Sequence, residues 1–526
     1  MVEFAKFFLT FATAESCGKC VPCRAGGKRM LEILSRICAG KGRSEDLAAI
    51  RKIAEGMESA SLCALGQLTP GPVMAALRYF EHEFIAHIED HRCPAGACKE
   101  LVPARCLNAC PAGVDVPAYV SLAAEGRFAE ALAVHRERNP FAHICGRVCP
   151  AFCEQRCRRG DIDTPVGIRA IKRFMADHET AAPWHPVRPQ AAKAEKVAVI
   201  GSGPAGLTAA LRLAQTGYGV TVFESLPVPG GMMAVGIPEY RLPRDVLHQE
   251  IDHIRRAGVE IVCNRGLGRD FIIDDLLDRE GFKAVVLAIG AHRSLRLGIP
   301  GEDRAGVVNG IDLLREVALG SRPEVKGKRV AVVGGGNVAV DAARTAWRLG
   351  ASEVHIVYRR TRADMPAYPE EIKAAEHEGV LIHYLSAPVR VLGPAKVTAL
   401  EIQQQKLTEF DASGRRRPVP IEGAVQVLPV DVVVPAVGQE PDKQCVLNAG
   451  LETNRNSTLK VGPSLATTRP AVFAAGDAVS GPASVIEAVA HGNRVAREVD
   501  LFLRTGDRSA FEEYVSGGAW GNQQQR

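Results

Sequence analysis

The chain has 526 residues, which at ~150 residues per domain predicts three or four domains. Hydrophobic residues make up 46% and charged residues 24%, ordinary globular usage that excludes disordered, collagenous and coiled-coil classes. Lys and Arg number 65 against 60 acids, and the small excess is scattered, so no nucleic-acid partner is predicted. The segment Phe7–Ala14 is apolar but short, and Glu15, Ser16 and Cys17 follow it in place of a small-residue cleavage site. It reads as a helix face, not a leader. No run reaches the ~18 apolar residues of a membrane span, so a soluble, cytoplasmic protein is expected.

Of fifteen cysteines, thirteen fall within residues 17–157, and only Cys263 and Cys445 lie beyond. Clustering of this kind in a long chain argues against a secreted disulfide framework and for thiolates that ligate metal in a reducing compartment. Residues 1–100 are predicted helical, with helical apolar spacing in Lys28–Cys38 and Val73–Ile88. Residues 101–190 are again helical, carry cysteine groups at each end and run out through a proline-rich linker at 181–190. From Lys196 onward, short β-branched runs alternate with Ala- and Leu-rich stretches, the pattern of a parallel α/β sheet.

Two openings in that region are alike. The first is Val197–Ile200 followed by Gly201-Ser-Gly-Pro-Ala-Gly206, a helix, and Val220–Glu224. The second is Val330–Val333 followed by Gly334-Gly-Gly-Asn-Val-Ala339, a helix, and a strand ending at Arg359 and Arg360. Glycines let a strand turn sharply into a helix, so that backbone N–H groups face a pyrophosphate and the third small residue packs. Glu224 suits the ribose of FAD, with Gly201, Gly203, Ala205 and Gly206 at its phosphates. Arg359 and Arg360, with no acid beside them, suit the 2′-phosphate of NADP over NAD, with Gly334, Gly335, Gly336, Asn337, Val338 and Ala339 as its loop. A solvated basic edge is the plainer reading of the arginines.

Near the C-terminus, Val472–Gly476 ends in Asp477, a candidate for the ribityl chain, and a helix from Ser484 through Val485 to Gly492 is predicted beside the flavin ring. The strands Val285–Gly290 and Val432–Gly438 mark where the chain passes between nucleotide domains. The expected organisation is α/β, with an FAD domain at 191–325 and 438–515 interrupted by an NAD(P)H domain at 326–437, behind two small helical iron–sulfur domains. No closely spaced cysteine pair follows the first nucleotide fold, so a dithiol–disulfide reductase is not expected.

Residues ~101–515 resemble the NADPH-oxidising small subunit of glutamate synthase and its relatives. The resemblance rests on Cys106-Leu-Asn-Ala-Cys110-Pro, on Cys145, Cys149, Cys153 and Cys157, and on Gly230 to Pro243, in which Gly231 and Arg241 add to the expected flavin residues. It implies hydride transfer from NADPH to FAD and single electrons through 4Fe–4S clusters. In that family two clusters share this region, but here Lys172 stands where relatives often place a Gln or Glu ligand, and an ammonium cannot ligate. The six cysteines secure one cluster, and Cys145 is a substitute ligand. Residues ~4–100, with Cys17, Cys20, Cys23 and distant Cys63, resemble the cluster domain of the NADH-binding subunit of complex I and its hydrogenase relatives. Three thiolates two residues apart wrap one face of a 4Fe–4S cube and a fourth closes it, with structural zinc the plainer reading. Cys93 and Cys98 serve either a second cluster or, with Cys38 and His87, a zinc ion.

The expected function is an FAD and iron–sulfur subunit that exchanges electrons between NAD(P)H and a partner. The partners weighed are a 2-oxoacid or aldehyde oxidoreductase, a formate dehydrogenase, a hydrogenase, ferredoxin and, ranked lower, a glutamate synthase large subunit. A relay or scaffold with degenerate nucleotide sites and a bifurcating flavoprotein are the alternatives. No catalytic acid or base is expected, because the cofactors carry the hydride.

Overall fold

The computed structural model describes residues 1–102, 104–179, 184, 186, 192–410 and 414–506. Most of the proline-rich linker, and the predicted FAD segment beyond residue 506, lie outside the described residues. The chain divides into two compact units: Met1–Arg138 with Ala151–Ile171, and Asn139–Pro150 with everything from Lys172 onward.

The first unit is helical. Helices Val2–Ala14, Gly27–Cys38, Glu45–Ala60 and Gly71–Ile88 enclose a core that includes Leu9, Met30, Leu34, Ile50, Met57, Leu77 and Phe84. Gly27–Cys38 forms because Met30, Ile33, Leu34 and Ile37 recur at helical spacing and are all buried. Helix Gly71–Ile88 is kinked at Phe80, whose φ of −135° is not helical. Two short helices, Arg105–Ala109 and Phe152–Gln155, pack together and carry cysteines at or beside their ends.

The second unit carries the sheets. Strands β1 (Lys196–Ile200), β2 (Gly219–Phe223), β3 (Glu260–Val262) and β4 (Ala284–Leu287) are parallel in the order β4-β1-β2-β3. Four of the five β1 residues are fully buried, because helices cover both faces of a parallel sheet. After β5 (Arg293–Ser294), strands β6 (Arg329–Val333), β7 (Glu353–Val357) and β8 (Leu381–His383) build a second parallel sheet. An antiparallel meander follows, β9 (Ser386–Leu392), β10 (Ala399–Phe410) and β11 (Arg416–Pro429). Strand β12 (Val432–Pro435) then joins β6, β13 (Gln439–Glu440) pairs with β5, and β14 (Val472–Ala474) returns to the first sheet beside β4.

The predicted strands are all present, although β7 stops at Val357, short of Arg359 and Arg360. The meander was not predicted. Its signal is weak because β11 is exposed along most of its length, so no apolar alternation marks it. Among the described residues no helix is long and apolar enough to cross a membrane.

Candidate flavin, nucleotide and iron–sulfur sites

At the end of β1, Gly201 takes φ +105°, and a Cβ there would lie 2.3 Å from the Ala288 carbonyl oxygen. Only glycine allows that turn. A Cβ on Gly206 would fall 2.0 Å from the Gly201 oxygen, the close helix–strand approach that the third glycine serves. Gly203 differs, since a Cβ there meets nothing within 4 Å. It fronts open space at the N-terminus of helix Pro204–Gln215, where a pyrophosphate would find free N–H groups and the positive end of the dipole.

Glu224 is 4% exposed, and its two oxygens accept from the Ser202 N–H at 2.9 Å, the Ser202 hydroxyl and the Leu226 N–H at 2.8 Å. Ser202 in turn accepts from the Gly230 N–H at 3.0 Å. The expected ribose acceptor therefore also ties the phosphate loop to the Gly230–Gly231 turn, a role the sequence did not reveal. A Cβ on Gly231 would sit 2.8 Å from the Gly203 Cα, and one on Gly476 the same distance from the Ala205 Cβ. Three separate stretches of the chain thus meet around one helix start. Gly290 keeps φ +66° just past β4, and Gly476 donates its N–H to His491 Nδ1 at 3.2 Å. Asp477 accepts from the Ala483 N–H at 3.3 Å, and burial pushes its carboxyl up to about 7. Val485 opens the last helix, Val485–Thr505, behind a reciprocal Ser484–Glu487 cap.

Arg241, expected at the flavin, also carries ion pairs that the sequence did not reveal. It is buried and paired with Asp341 at 2.5 Å and Glu371 at 3.1 Å, both in the second nucleotide region. Burial pushes the Asp341 carboxyl upward against the pull of Arg241. A guanidinium buried against two carboxylates ties the two nucleotide regions together. Its acids lie 100 and 130 residues downstream, where no local pattern points to them.

The second loop repeats the construction. Gly334 has φ +145°, and a Cβ would lie 2.3 Å from the Ala436 oxygen; Ala339 is fully buried; Gly336 faces open space. At Gly335 a Cβ would strike the Tyr358 ring at 2.4 Å, so that ring lies on the loop. Asn337 accepts from the Tyr368 N–H at 3.1 Å, and Val338 stands close to Gly310. The two arginines diverge. Arg359 is exposed, whereas Arg360 is 3% exposed and donates from Nε to the Arg416 carbonyl oxygen at 2.8 Å.

In the first unit some segments that carry the predicted cluster residues lie close to one another. The backbone N–H groups of Leu62, Cys23 and Cys20 itself hold the Cys20 thiol below its usual range, which sets the segment before Cys63 against the Cys17–Cys23 loop. Ser16 Oγ lies 3.3 Å from Cys23 Sγ, and a Cβ on Gly66 would be 3.0 Å from the Cys23 Cβ. Cys17 and Cys63 are exposed and Cys23 is buried. Burial, with Cys157 nearby, raises the Cys106 thiol, and Cys110 and Cys153 are buried. In the second unit Cys145 and Cys149 stand one helical turn apart on and just after helix Ala142–Val148, both buried. Burial pushes the Cys145 thiol up to about 12, against the pull of the Lys172 ammonium.

Cys38, His87, Cys93 and Cys98 are each no more than 5% exposed. The ligand atoms of His87, Cys93 and Cys98 lie within 4.8 Å of one another, with His87 Nε2 3.3 Å from Cys98 Sγ. Cys98 also groups with Cys38 and Glu3. Tetrahedral thiolates at about 2.3 Å from one zinc stand ~3.8 Å apart. That spacing fits a single ion better than a cube, whose thiolates sit on different irons.

Residues 195–492 match the family described as pyridine nucleotide-disulphide oxidoreductase. The chain belongs to that family. Residues 3–87 match the NADH-ubiquinone oxidoreductase-F iron–sulfur binding region, and 75–184 match dihydropyrimidine dehydrogenase domain II, a 4Fe–4S cluster domain. This is therefore a pyridine-nucleotide flavin oxidoreductase with 4Fe–4S domains at its N-terminal side. It is 42% identical over 563 residues to the NADP(+)-dependent formate dehydrogenase subunit beta of Moorella thermoacetica, covering 95% of this chain and 79% of that one. It is 39% identical to the NADPH-Fe(3+) oxidoreductase subunit beta of Geobacter sulfurreducens, covering 97% and 80%. The glutamate synthase [NADPH] small chain of Escherichia coli is 34% identical over 412 residues, covering 74% and 87%. The structure of Mycobacterium tuberculosis FprA in complex with NADPH matches with a TM-score of 0.51 at 19% identity, over 62% of this chain and 89% of that one. That match supports the fold.

Proposed function

We propose that this chain is a cytoplasmic NADP(H)-linked electron-transfer subunit, working with a partner oxidoreductase for which a formate dehydrogenase catalytic subunit is the first candidate. The observation that carries NADP over NAD is the exposed Arg359 past β7, where the FAD half places buried Glu224. The partner class rests on the 42%-identical relative, whose name is that of a formate dehydrogenase subunit. FAD at the first loop supplies hydride acceptance and release of single electrons to 4Fe–4S clusters.

The residues divide the work. Gly201, Gly203, Ala205 and Gly206 present the pyrophosphate cradle, Glu224 fixes its loop, and Gly231, Gly290, Gly476, Asp477 and Val485 line the rest of the flavin site. Gly334 to Ala339 present the second cradle. Cys17, Cys20, Cys23 and Cys63 hold one cluster, and Cys106, Cys110, Cys145, Cys149, Cys153 and Cys157 hold another. Cys38, His87, Cys93 and Cys98 hold a structural zinc ion. Exposed Cys17 and Cys63, flanked by exposed Val21 and Leu62, support electron exit at the first cluster.

The test is an anaerobic titration of the purified chain with NADPH and, separately, NADH, followed by visible spectrum. NADPH should bleach the flavin and then the clusters. Reduction by NADH alone would overturn the arginine reading, and a loaded flavin that neither reduces would leave a relay or scaffold. Cys17→Ser should keep NADPH-to-dye activity within about twofold while transfer to the partner falls to background. Cys98→Ser should lose one zinc per chain by elemental analysis with iron unchanged; loss of iron instead would assign Cys98 to a cluster.

A further inference from the structure

Arg359 and Arg360 open onto a cavity of about 790 Å³ whose opposite wall is the β10–β11 hairpin. Thr408, Glu409, Phe410 and Arg417 face it from there. Phe410 is 71% exposed, an aromatic ring with no place in a core, and the Arg416 guanidinium lies over it at 5.9 Å. Arg360 also lines the cavity, and its Nε is bonded to the Arg416 carbonyl oxygen. Its effect is to dock the hairpin against the end of β7. Thr408 strengthens the same end by donating to the Arg417 carbonyl oxygen at 3.1 Å. Arg359, Arg360 and Arg417 against the single carboxylate of Glu409 leave the rim positive.

We infer that the β10–β11 hairpin is the second half of the NADP(H) specificity site: Arg417 pairs with Arg359 on the 2′-phosphate, and Phe410 stacks on the adenine. The inference rests on the 2′-phosphate reading of Arg359 and assigns its partner. Two guanidinium groups approaching from opposite walls can share a dianionic phosphate in a way that two adjacent residues on one strand end cannot. An exposed aromatic face beside them offers the stacking that adenine takes without regard to the 2′ position. Arg360 is a positioning residue that fixes the distance between the walls.

The experiment measures binding of 2′,5′-ADP and of 5′-AMP to the cofactor-loaded chain by calorimetry, alongside KM for NADPH and NADH in dye reduction. Arg417→Ala should weaken 2′,5′-ADP about tenfold or more and leave 5′-AMP within about twofold, with Arg417→Lys recovering part of the loss. Phe410→Ala should weaken both nucleotides by similar factors. If Arg359→Ala weakens 2′,5′-ADP and Arg417→Ala does not, the hairpin assignment is overturned and the arginine reading stands. If neither variant discriminates the two nucleotides, both fall. Equal loss of both nucleotides in Arg417→Ala, with flavin content unchanged, also overturns the assignment, because it places Arg417 away from the 2′-phosphate.

Discussion

The two nucleotide loops are built to one plan and finished differently. In each, the first glycine turns the chain under a carbonyl oxygen, the middle one fronts open space and the third position packs helix on strand. The ends of the second strands diverge. Glu224 is buried and saturated by bonds from its own loop, whereas Arg359 stands exposed over a cavity closed by a hairpin from elsewhere in the chain. The difference teaches that the glycine pattern specifies a nucleotide fold, while the surroundings of the strand end are set by tertiary structure.

The largest test of that division lies within the first loop. Gly206→Ala forces a Cβ to 2.0 Å from a backbone oxygen that cannot move aside, so a loss of at least about 3 kcal/mol and a chain purified without flavin are expected. Gly203→Ala should fold, with a melting temperature close to that of the parent apoprotein, and lose only flavin affinity, since its Cβ enters open space. Identical behaviour of the two variants would erase the distinction between packing glycine and ligand-facing glycine.

A smaller effect sharpens the contrast between the strand ends. Arg359→Ala with Arg360→Ala should lower kcat/KM for NADPH by about 100-fold and for NADH by no more than about threefold. Equal losses for the two coenzymes would remove the 2′-phosphate role. Glu224→Gln keeps the size of the side chain but turns one acceptor into a donor facing N–H groups. It should lower flavin retention on gel filtration without changing the NADPH-to-NADH preference of the fraction that keeps flavin.

The smallest effect is a pH slope that the flavin half has by virtue of Asp477. Its carboxyl is raised to about 7 in the folded chain against about 3.9 in the unfolded one. Between those values the unfolded chain is ionised and releases a proton the folded chain keeps, so apoprotein stability falls as pH rises from about 4 to 7. Each pH unit across that window costs at most about 1.4 kcal/mol, reduced by whatever water reaches the site. Asp477→Asn should flatten that part of the curve in chemical denaturation of the apoprotein; an unchanged slope would show that burial of Asp477 is not its source.

Much of this was legible in the residues because it is local. The strand–glycine–helix sequence carries its own geometry, and Gly201, Gly206, Gly334 and Ala339 take the roles their spacing implies. The cysteine clustering agrees with the match of residues 3–87 to an iron–sulfur binding region, and the proximity of His87, Cys93 and Cys98 was among the expected alternatives. What escaped was carried by partners far along the chain. The pairing of Arg241 with Asp341 and Glu371, the exposed strand β11 and the contact of Arg360 with Arg416 leave no periodic signal.

By itself the sequence determined two nucleotide folds, the cysteine groups and the family, since each depends on residue type at short spacing, where backbone geometry follows directly from the side chain or its absence. Only the tertiary structure decided which charges meet. It paired Arg241 with Asp341, buried Arg360 while leaving Arg359 exposed and set the β10–β11 hairpin beside them, because the desolvation of a guanidinium is satisfied by whatever the fold brings within ~3 Å, however distant in sequence.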